Sequence, residues 1–277
     1  MSLLKESRVK ASWVQEMGRV LAHEGDGEVY KLTLHAPEIA RRAVAGQFVE
    51  VRPVPGHSAA IDPLLRRPFS LCEIRPEAGE VSLIYRVVGR GTRALAAMVA
   101  GTELDLLGPL GHSFPDPARG AGRLVLVGGG LGIPPMAAAA RWAVAAGRES
   151  LAILGARSAR YLAGATEVAE AGLPVVTVTD DGSAGERAFV TGPLADMLAA
   201  GTVGEVWACG PEPMLEAVKA QCQEAGIPCF VSVERFMACG FGACIGCTVP
   251  KSGAAGFLKA CQDGPVFDAE EVELGGF

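Results

Sequence analysis

The chain has 277 residues, enough for two or three domains that each bury a core. With 49% hydrophobic and 20% charged residues it reads as globular, and its formal charge of −6 argues against nucleic acid or an anionic membrane as partner. No apolar run reaches the ~20 residues that cross a bilayer, and Met1 to Lys10 is charged where a signal peptide carries its apolar core. The expected compartment is the cytoplasm, where thiols stay reduced, so clustered cysteines are read as metal ligands before disulfides.

Residues 1–117 are expected to form an antiparallel β-barrel. Short β-rich runs at Glu28–His35, Gln47–Arg52, Phe69–Ile74, Val81–Val88 and Thr102–Leu107 alternate with Pro and Gly turns. The stretch from Gly91 to Val99 breaks that pattern as a short helix, with Thr92 as its expected N-cap. Many short strands plus one helix suggest a closed barrel. Within it, Arg66-Arg-Pro-Phe-Ser70 ends a turn and opens a strand, and Tyr85-Arg86 and Gly91-Thr92 follow downstream. An arginine beside a helix N-terminus makes a diphosphate cradle, although an Arg-Arg-Pro beside a strand is also an ordinary solvated turn.

From Gly120 the period changes, and residues 118–230 are expected to form an α/β Rossmann-like domain. Apolar strands are expected at Leu124–Val127, Leu151–Leu154, Val175–Thr179 and Glu205–Ala208, with helices over Pro135–Ala146 and Pro211–Glu224. After the first of these strands comes Gly128-Gly-Gly-Leu-Gly-Ile-Pro-Pro-Met136. Its glycines allow the backbone to approach a diphosphate at a helix N-terminus, or simply allow tight packing. The turn does not complete G-x-G-x-x-G; it reads Gly130-x-Gly132-x-x-Pro135. A second loop, Ala208-Cys-Gly-Pro-Glu-Pro-Met214, follows the strand ending at Ala208. No acid stands ~20 residues past the glycine turn to take a ribose 2′-hydroxyl. Arg157 and Ser158 would suit a 2′-phosphate, whereas Asp180 and Asp181 pull the other way.

Residues 231–277 are expected to form a small C-terminal module. Cys239, Cys244, Cys247 and Cys261 follow the spacing C-x₄-C-x₂-C-x₁₃-C, the plant-type ferredoxin order of ligands for a [2Fe–2S] cluster. Glycines flank the ligands and let a tight loop turn its N–H groups toward sulfur. Cys₄ zinc is the alternative, but zinc sites usually show two C-x₂-C pairs and only Cys244 and Cys247 form one here. Cys261 is selected as the remaining downstream cysteine. Cys72, Cys209, Cys222 and Cys229 are scattered, with a core role as the default. So small a segment with so little core is expected to need its metal to fold.

Taken in order, these pieces resemble the ferredoxin reductase superfamily. Arg67, Phe69 and Ser70 match its Arg-x-aromatic-Ser flavin motif around Pro68, and Gly91-Thr92 matches its phosphate-binding helix start. Ile84-Tyr85-Arg86 resembles the strand that flanks the ribityl and phosphate parts. The resemblance implies FAD, with Phe69 against the isoalloxazine and the Ser70 hydroxyl near a ring nitrogen. It also implies a nicotinamide cofactor at Gly128, Gly130, Gly132 and Pro135, with Cys209 and Gly210 lining the hydride-transfer gap; NAD is preferred on the family, NADP not being set aside.

The three modules together look like the electron-transfer subunits of type B dihydroorotate dehydrogenases. The match is carried by Leu65-Arg-Arg-Pro-Phe-Ser70, by both glycine loops, and by Ser232-Val-Glu-Arg-Phe-Met-Ala-Cys-Gly-Phe-Gly-Ala-Cys-Ile-Gly-Cys247 continued at Ala260-Cys-Gln-Asp-Gly-Pro-Val-Phe267. Family members commonly carry Ile where Phe69 sits. That likeness implies a partner subunit holding FMN and oxidising dihydroorotate in pyrimidine biosynthesis, two copies of each chain forming a heterotetramer. Electrons would cross the cluster and FAD to NAD⁺, with no organic-substrate site on this chain. Phe241 and Ile245 beside the cluster are the expected docking residues. The alternative is the small subunit of a NAD(P)H:ferredoxin oxidoreductase or sulfide dehydrogenase, in which Asp commonly replaces the ligand found here as Cys239. A non-catalytic, zinc-stabilised binding subunit is the rival from another class.

Overall fold

In the computed structural model, which describes residues 6–275, the amino-terminal half is built on one antiparallel sheet. Residues 1–5, the start of the segment read for a signal peptide, lie outside the described residues. The sheet contains β1 (Val14–Gly25), β2 (Val29–His35), β3 (Phe48–Pro55), β4 (Arg67–Ser70), β5 (Glu73–Arg75), β6 (Glu80–Arg86) and β7 (Glu103–Leu110), in the order β4-β3-β7-β1-β2-β6-β5. Only Leu71 and Cys72 separate the two edge strands in sequence. The Leu71 N–H donates to Gln47 O at 3.3 Å and the Cys72 N–H to Ser82 O at 2.9 Å. One bent stretch of chain therefore pairs with both ends of the sheet and curls it round, as a barrel requires.

Period-two alternation sends Leu32, Leu34, Val49, Val51, Leu83 and Leu104 into the barrel core. A short helix, α1 (Pro37–Arg42), had no sequence signal beyond its N-terminal proline. The second, α2 (Arg90–Ala96), begins earlier than expected, and the expectation of Thr92 as its N-cap is corrected. Gly89 is the N-cap residue in extended conformation, and Thr92 stands three positions on. From there its hydroxyl oxygen accepts from the N–H groups of Val88 at 2.9 Å and Gly89 at 3.1 Å. A side chain at that position reaches back over the helix start and satisfies the N–H of the N-cap residue and of the one before it, not those of the helix's own first turn.

The second sheet is α/β. Its elements are β8 (Leu124–Gly129), α3 (Ile133–Ala145), β9 (Ser150–Ala156), α4 (Ala165–Ala169), β10 (Val175–Thr179), β11 (Glu186–Arg187), α5 (Thr191–Ala199), β12 (Glu205–Cys209), α6 (Glu212–Ala225) and β13 (Cys229–Ser232). The strand order β11-β10-β9-β8-β12-β13 is parallel throughout. The chain winds outward from β8 to β11, then returns on the other side with β12. The ends of β8 and β12 are thus the topological switch point, where open parallel sheets hold ligands.

Beyond β13 come a small hairpin, β14 (Thr248–Pro250) with β15 (Phe257–Lys259), and β16 (Val266–Asp268). β16 returns to pair antiparallel with β13 and closes the edge of the second sheet. Apolar residues of this segment, including Cys247, Val249 and Phe267, share one core with Phe48, Leu107 and Leu110 of the first sheet. The segment with too few apolar residues to fold alone is thus covered by both larger units.

An ion network also joins the two sheets. Glu73 on β5 is buried and meets Lys31 at 2.9 Å and Arg75 at 2.8 Å within the barrel. Arg141 on α3 reaches the same carboxylate at 3.1 Å, and Lys31 reaches Glu167 on α4 at 2.8 Å. Burial alone would raise the Glu73 pKa, but the Lys31 ammonium and then the Arg75 guanidinium hold it down at about 2. Among the described residues no helix is long and apolar enough to cross a membrane.

Candidate functional site

At the switch point lies a cavity of about 720 Å³. Its wall includes Gly129, Gly130 and Gly132 from the turn after β8 and Gly210 from the loop after β12. The glycines have different tasks. Gly130 has φ 53° and open space where a Cβ would stand, so its backbone is bare toward the cavity. At Gly132 a Cβ would lie 2.2 Å from the Cys209 carbonyl oxygen. The two loops therefore pack backbone against backbone, and that contact positions the first turn of α3. Gly128 is less tight, with Ile133 Cα 3.1 Å from its Cβ position. Pro135 is buried in the first turn of α3, where a missing N–H costs nothing.

Cys209 is only 2% exposed, and its side chain packs in the core with Met136 and Trp207. Burial pushes its thiol up to about 12. The loop's contribution to the cavity wall comes instead from Gly210, Pro211 and Met214. Arg157 and Asp180, at the ends of β9 and β10, both line the cavity; Ser158 and Asp181 are not on that wall. Asp181 is occupied by Ser183, whose N–H donates at 2.9 Å. Glu234, missed by the sequence reading, faces the same space as Arg86. Burial raises its carboxyl pKa while the Arg86 charge opposes the shift. The only signal was its place between β13 and the cysteine loop.

In the barrel, Arg67 and Gly91 come together as the motif reading expected. A Cβ on Gly91 would lie 2.7 Å from Arg67 Nε, so the guanidinium rests directly on the first turn of α2. Arg67 Nη1 donates to the carbonyls of Leu65 at 2.7 Å and Arg66 at 3.0 Å, which fixes the side chain there. A cation over free helix N–H groups is a cradle for a diphosphate, so the donor set fits the phosphate end of FAD. Phe69 is placed differently from the ring-stacking expectation. Its ring is buried in the barrel core, tilted against Tyr85 at 5.3 Å. The residue thus offers a ligand its strand backbone more than its ring, because it alternates inward with Val49 across the ladder. Tyr85 is buried too, its hydroxyl 2.9 Å from His23 Nε2. Pro68, Ser70 and Ile84 are half-buried, and Arg86 at the end of β6 lines the glycine-walled cavity.

The four cysteines of the terminal segment stand as two pairs. The Cys239 and Cys244 sulfurs are 3.3 Å apart, those of Cys247 and Cys261 3.2 Å, and all four are free thiols. A [2Fe–2S] cluster with four cysteines takes two thiolates on each iron, so two pairs match its donor set. The Cys244 N–H donates to the Cys239 sulfur at 3.4 Å. Burial pushes the Cys239 thiol up, but N–H groups of Cys244 and Phe241 outweigh it and bring the thiol down to about 7. The Cys261 thiol acts first on Cys247, taking it down to about 6 against its burial, while Cys261 is pushed up in turn. One thiol of each pair, Cys239 and Cys247, is thus eased toward the thiolate, the form that binds iron. Gly240 and Gly242, with φ 74° and 91°, make the turn between the first two ligands.

A second residue missed from sequence is Glu50 on β3. Its side chain is fully buried against Gly240, and neither carboxylate oxygen has a hydrogen-bond partner. Burial pushes it up to about 8, with the Arg66 charge opposing.

Comparison with known proteins agrees with this geometry. Residues 234–273 match the family model described as the iron-sulfur cluster binding domain of dihydroorotate dehydrogenase B. The chain is 41% identical over 248 residues to the "Dihydroorotate dehydrogenase B (NAD(+)), electron transfer subunit" of Geobacillus thermodenitrificans, covering 88% of this chain and 93% of the relative. The same-named protein of a Geobacillus sp. is 39% identical over 264 residues, covering 94% and 99%. Among solved structures, the NADH-dependent reduced ferredoxin-NADP oxidoreductase superposes with a TM-score of 0.81 at 31% identity, covering 93% of this chain and 90% of that one. An Amycolatopsis cytochrome P450 reductase superposes at 0.61 with 28% identity, over 78% of this chain and 68% of the other. Together with the cradle, the glycine-lined cavity and the paired thiols, these likenesses place the chain in the family of electron transfer subunits of dihydroorotate dehydrogenase B.

Proposed function

We propose that this chain carries electrons from an FMN-containing catalytic subunit, which oxidises dihydroorotate to orotate, to NAD⁺, within a cytoplasmic two-plus-two heterotetramer. Cys239, Cys244, Cys247 and Cys261 hold a [2Fe–2S] cluster. Arg67 and the N–H groups at Gly91 and Thr92 hold the FAD diphosphate, with the Ser70 end of β4 and the Tyr85–Arg86 end of β6 beside the flavin. Gly130 and the start of α3 take the nicotinamide dinucleotide, and Gly210 supports its reactive end. The three units, 1–117, 118–230 and 231–277, each contribute one of these sites.

The observation that carries this reading is the contiguity of the three sites. Gly240 of the cluster loop packs on Glu50, and Glu50 stands opposite Pro68 in the β3–β4 ladder, inside the flavin motif. Arg86, on the barrel strand that flanks the flavin, lines the dinucleotide cavity with Glu234. The flavin strands thus lie between the cysteine loop and the cavity. When bound, a flavin exchanges a hydride with a nicotinamide and single electrons with an iron–sulfur centre. The residues of this chain bind, space and orient these groups. Asp180 at the adenosine end would accept from ribose hydroxyls and repel a 2′-phosphate, in favour of NAD. Phe236, Phe241 and Ile245, exposed beside the cysteines, form the face on which the catalytic subunit docks.

Co-expression with the catalytic subunit tests the reading. The purified complex should contain FMN, FAD, iron and acid-labile sulfide, and should reduce NAD⁺ with dihydroorotate. This chain alone should not. Dihydroorotate-dependent reduction by the isolated chain would overturn the subunit assignment.

A further inference from the structure

Glu50 is the buried group that none of the three sites above explains. It lies on β3 between Val49 and Val51, both of which point into the barrel core. By alternation Glu50 shares the opposite face with Phe48, which packs in the core that contains Cys247 and Cys261. That face is covered by the cysteine loop: a Cβ on Gly240 would lie 2.5 Å from Glu50 Cγ and 2.8 Å from its Oε1. Neither of the two arginines whose charges reach it donates to it. Arg66 pairs with Asp105 at 2.6 Å, and Arg67 donates to the Leu65 and Arg66 carbonyls.

A carboxyl group buried without a partner loses its hydration with nothing to replace it, and a hydrocarbon of similar size would avoid that cost. Glu50 is therefore not accounted for by the stability of the fold. Its backbone neighbour across the ladder is Pro68 of the flavin motif, and its side chain abuts the loop that joins Cys239 to Cys244. Among polar groups around a cluster, those held in a water-poor seam act on its potential most strongly, because little solvent screens them.

We propose that Glu50 is a positioning residue for the iron–sulfur site, its polar head setting the reduction potential of the cluster on the side that faces the flavin. Burial without a partner favours the neutral acid over the carboxylate; reduction adds negative charge to the cluster, and a neutral polar head stabilises that charge better than hydrocarbon does. The inference rests on the reading of the four cysteines as a [2Fe–2S] site.

The test is an EPR-monitored redox titration of the purified complex carrying Glu50→Leu or Glu50→Gln. Glu50→Leu should move the cluster midpoint to lower potential by about tenfold in the one-electron equilibrium constant, ~59 mV. Glu50→Gln, which keeps a polar head of the same shape, should remain near the wild-type value, and the FAD midpoint should stay unmoved in both. An unchanged cluster midpoint in Glu50→Leu, or an equal shift in both the FAD and cluster midpoints, overturns the proposal while leaving the cluster reading intact. Wild-type protein without iron and sulfide would overturn both together. If Glu50→Leu fails to assemble, a Glu50→Gln midpoint displaced by as much as tenfold would refute the claim that a polar head suffices.

Discussion

The glycine turn after β8 and the cysteine loop after β13, the places proposed for the dinucleotide and the cluster, are held in opposite ways. The first lies between central, fully buried strands, and Gly132 packs directly on the Cys209 carbonyl. It is formed by the chain's own close packing. The second has no regular structure from Glu234 to Cys247, and it exposes Phe236 by 96% and Ile245 by 77%. Its order comes from a core borrowed from both sheets and from whatever joins its paired sulfurs. In the proposed function the first is a pre-shaped site for a cofactor that enters and leaves, and the second a site completed by a resident one.

The sharpest break of this comparison is Cys244→Ser. It should abolish dihydroorotate-dependent NAD⁺ reduction in the complex while NADH oxidation by artificial two-electron acceptors survives. Loss of both activities would mean that the cysteine loop supports the fold of the cavity side as well. Smaller, and confined to the cavity, is the effect of Gly132→Ala. The new methyl group must push the two loops apart, which should cost roughly 1–3 kcal/mol and slow flavin reduction by NADH, with the cluster's EPR signal unchanged. Gly130→Ala meets no neighbour and should cost only the left-handed backbone strain, ~1–2 kcal/mol. Thermal melts of both variants check the ranking, and a larger cost for Gly130→Ala than for Gly132→Ala would refute the packing account.

The pre-shaped side is also tied to the barrel through Glu73, and pH sharpens that point. Its folded-state pKa is depressed to about 2 from an ordinary 4.5, so its contribution is full above about 4.5 and is lost as pH falls toward 2. Melting temperatures of wild type and Glu73→Gln should differ at neutral pH and converge across that acid window. A constant gap down to pH 2 would show that the ion network contributes nothing through charge. The smallest effect belongs to the exposed face of the cysteine loop. Ile245→Ser should leave cofactor content and melting unchanged and raise the dissociation constant for the catalytic subunit several-fold, the partial burial of one aliphatic side chain being worth ~1 kcal/mol. Calorimetric titration of the two subunits reads that change directly.

How far each feature could be read in advance follows its physics. The glycine turn, the Cys-Gly-Pro loop, the Arg-x-Phe-Ser strand and the cysteine spacing were legible because each needs particular residue types a few positions apart. The α/β strands were legible through continuous apolar runs, down to the bounds of Val175–Thr179. By contrast α1 was not, since six residues carry little periodicity. Thr92 was given the wrong place in its helix because an N-cap and a hydroxyl reaching back from the first turn leave the same local trace. Glu50 and Glu234 were passed over because nothing local marks a carboxyl that another segment will cover.

The amino-acid sequence by itself determined the succession of a β-rich half and an α/β half, the spacing of the four clustered cysteines and the two glycine loops, since these depend on short-range pattern and on backbone freedom. Only the tertiary structure decided that the Cys209 thiol turns into the core, that Phe69 packs on Tyr85, that β16 closes the second sheet, and that a buried acid separates the flavin strand from the cysteine loop. Each of these is a contact between segments distant along the chain. Burial, charge pairing and the direction of a side chain are set there by what packs against it, which no local pattern records.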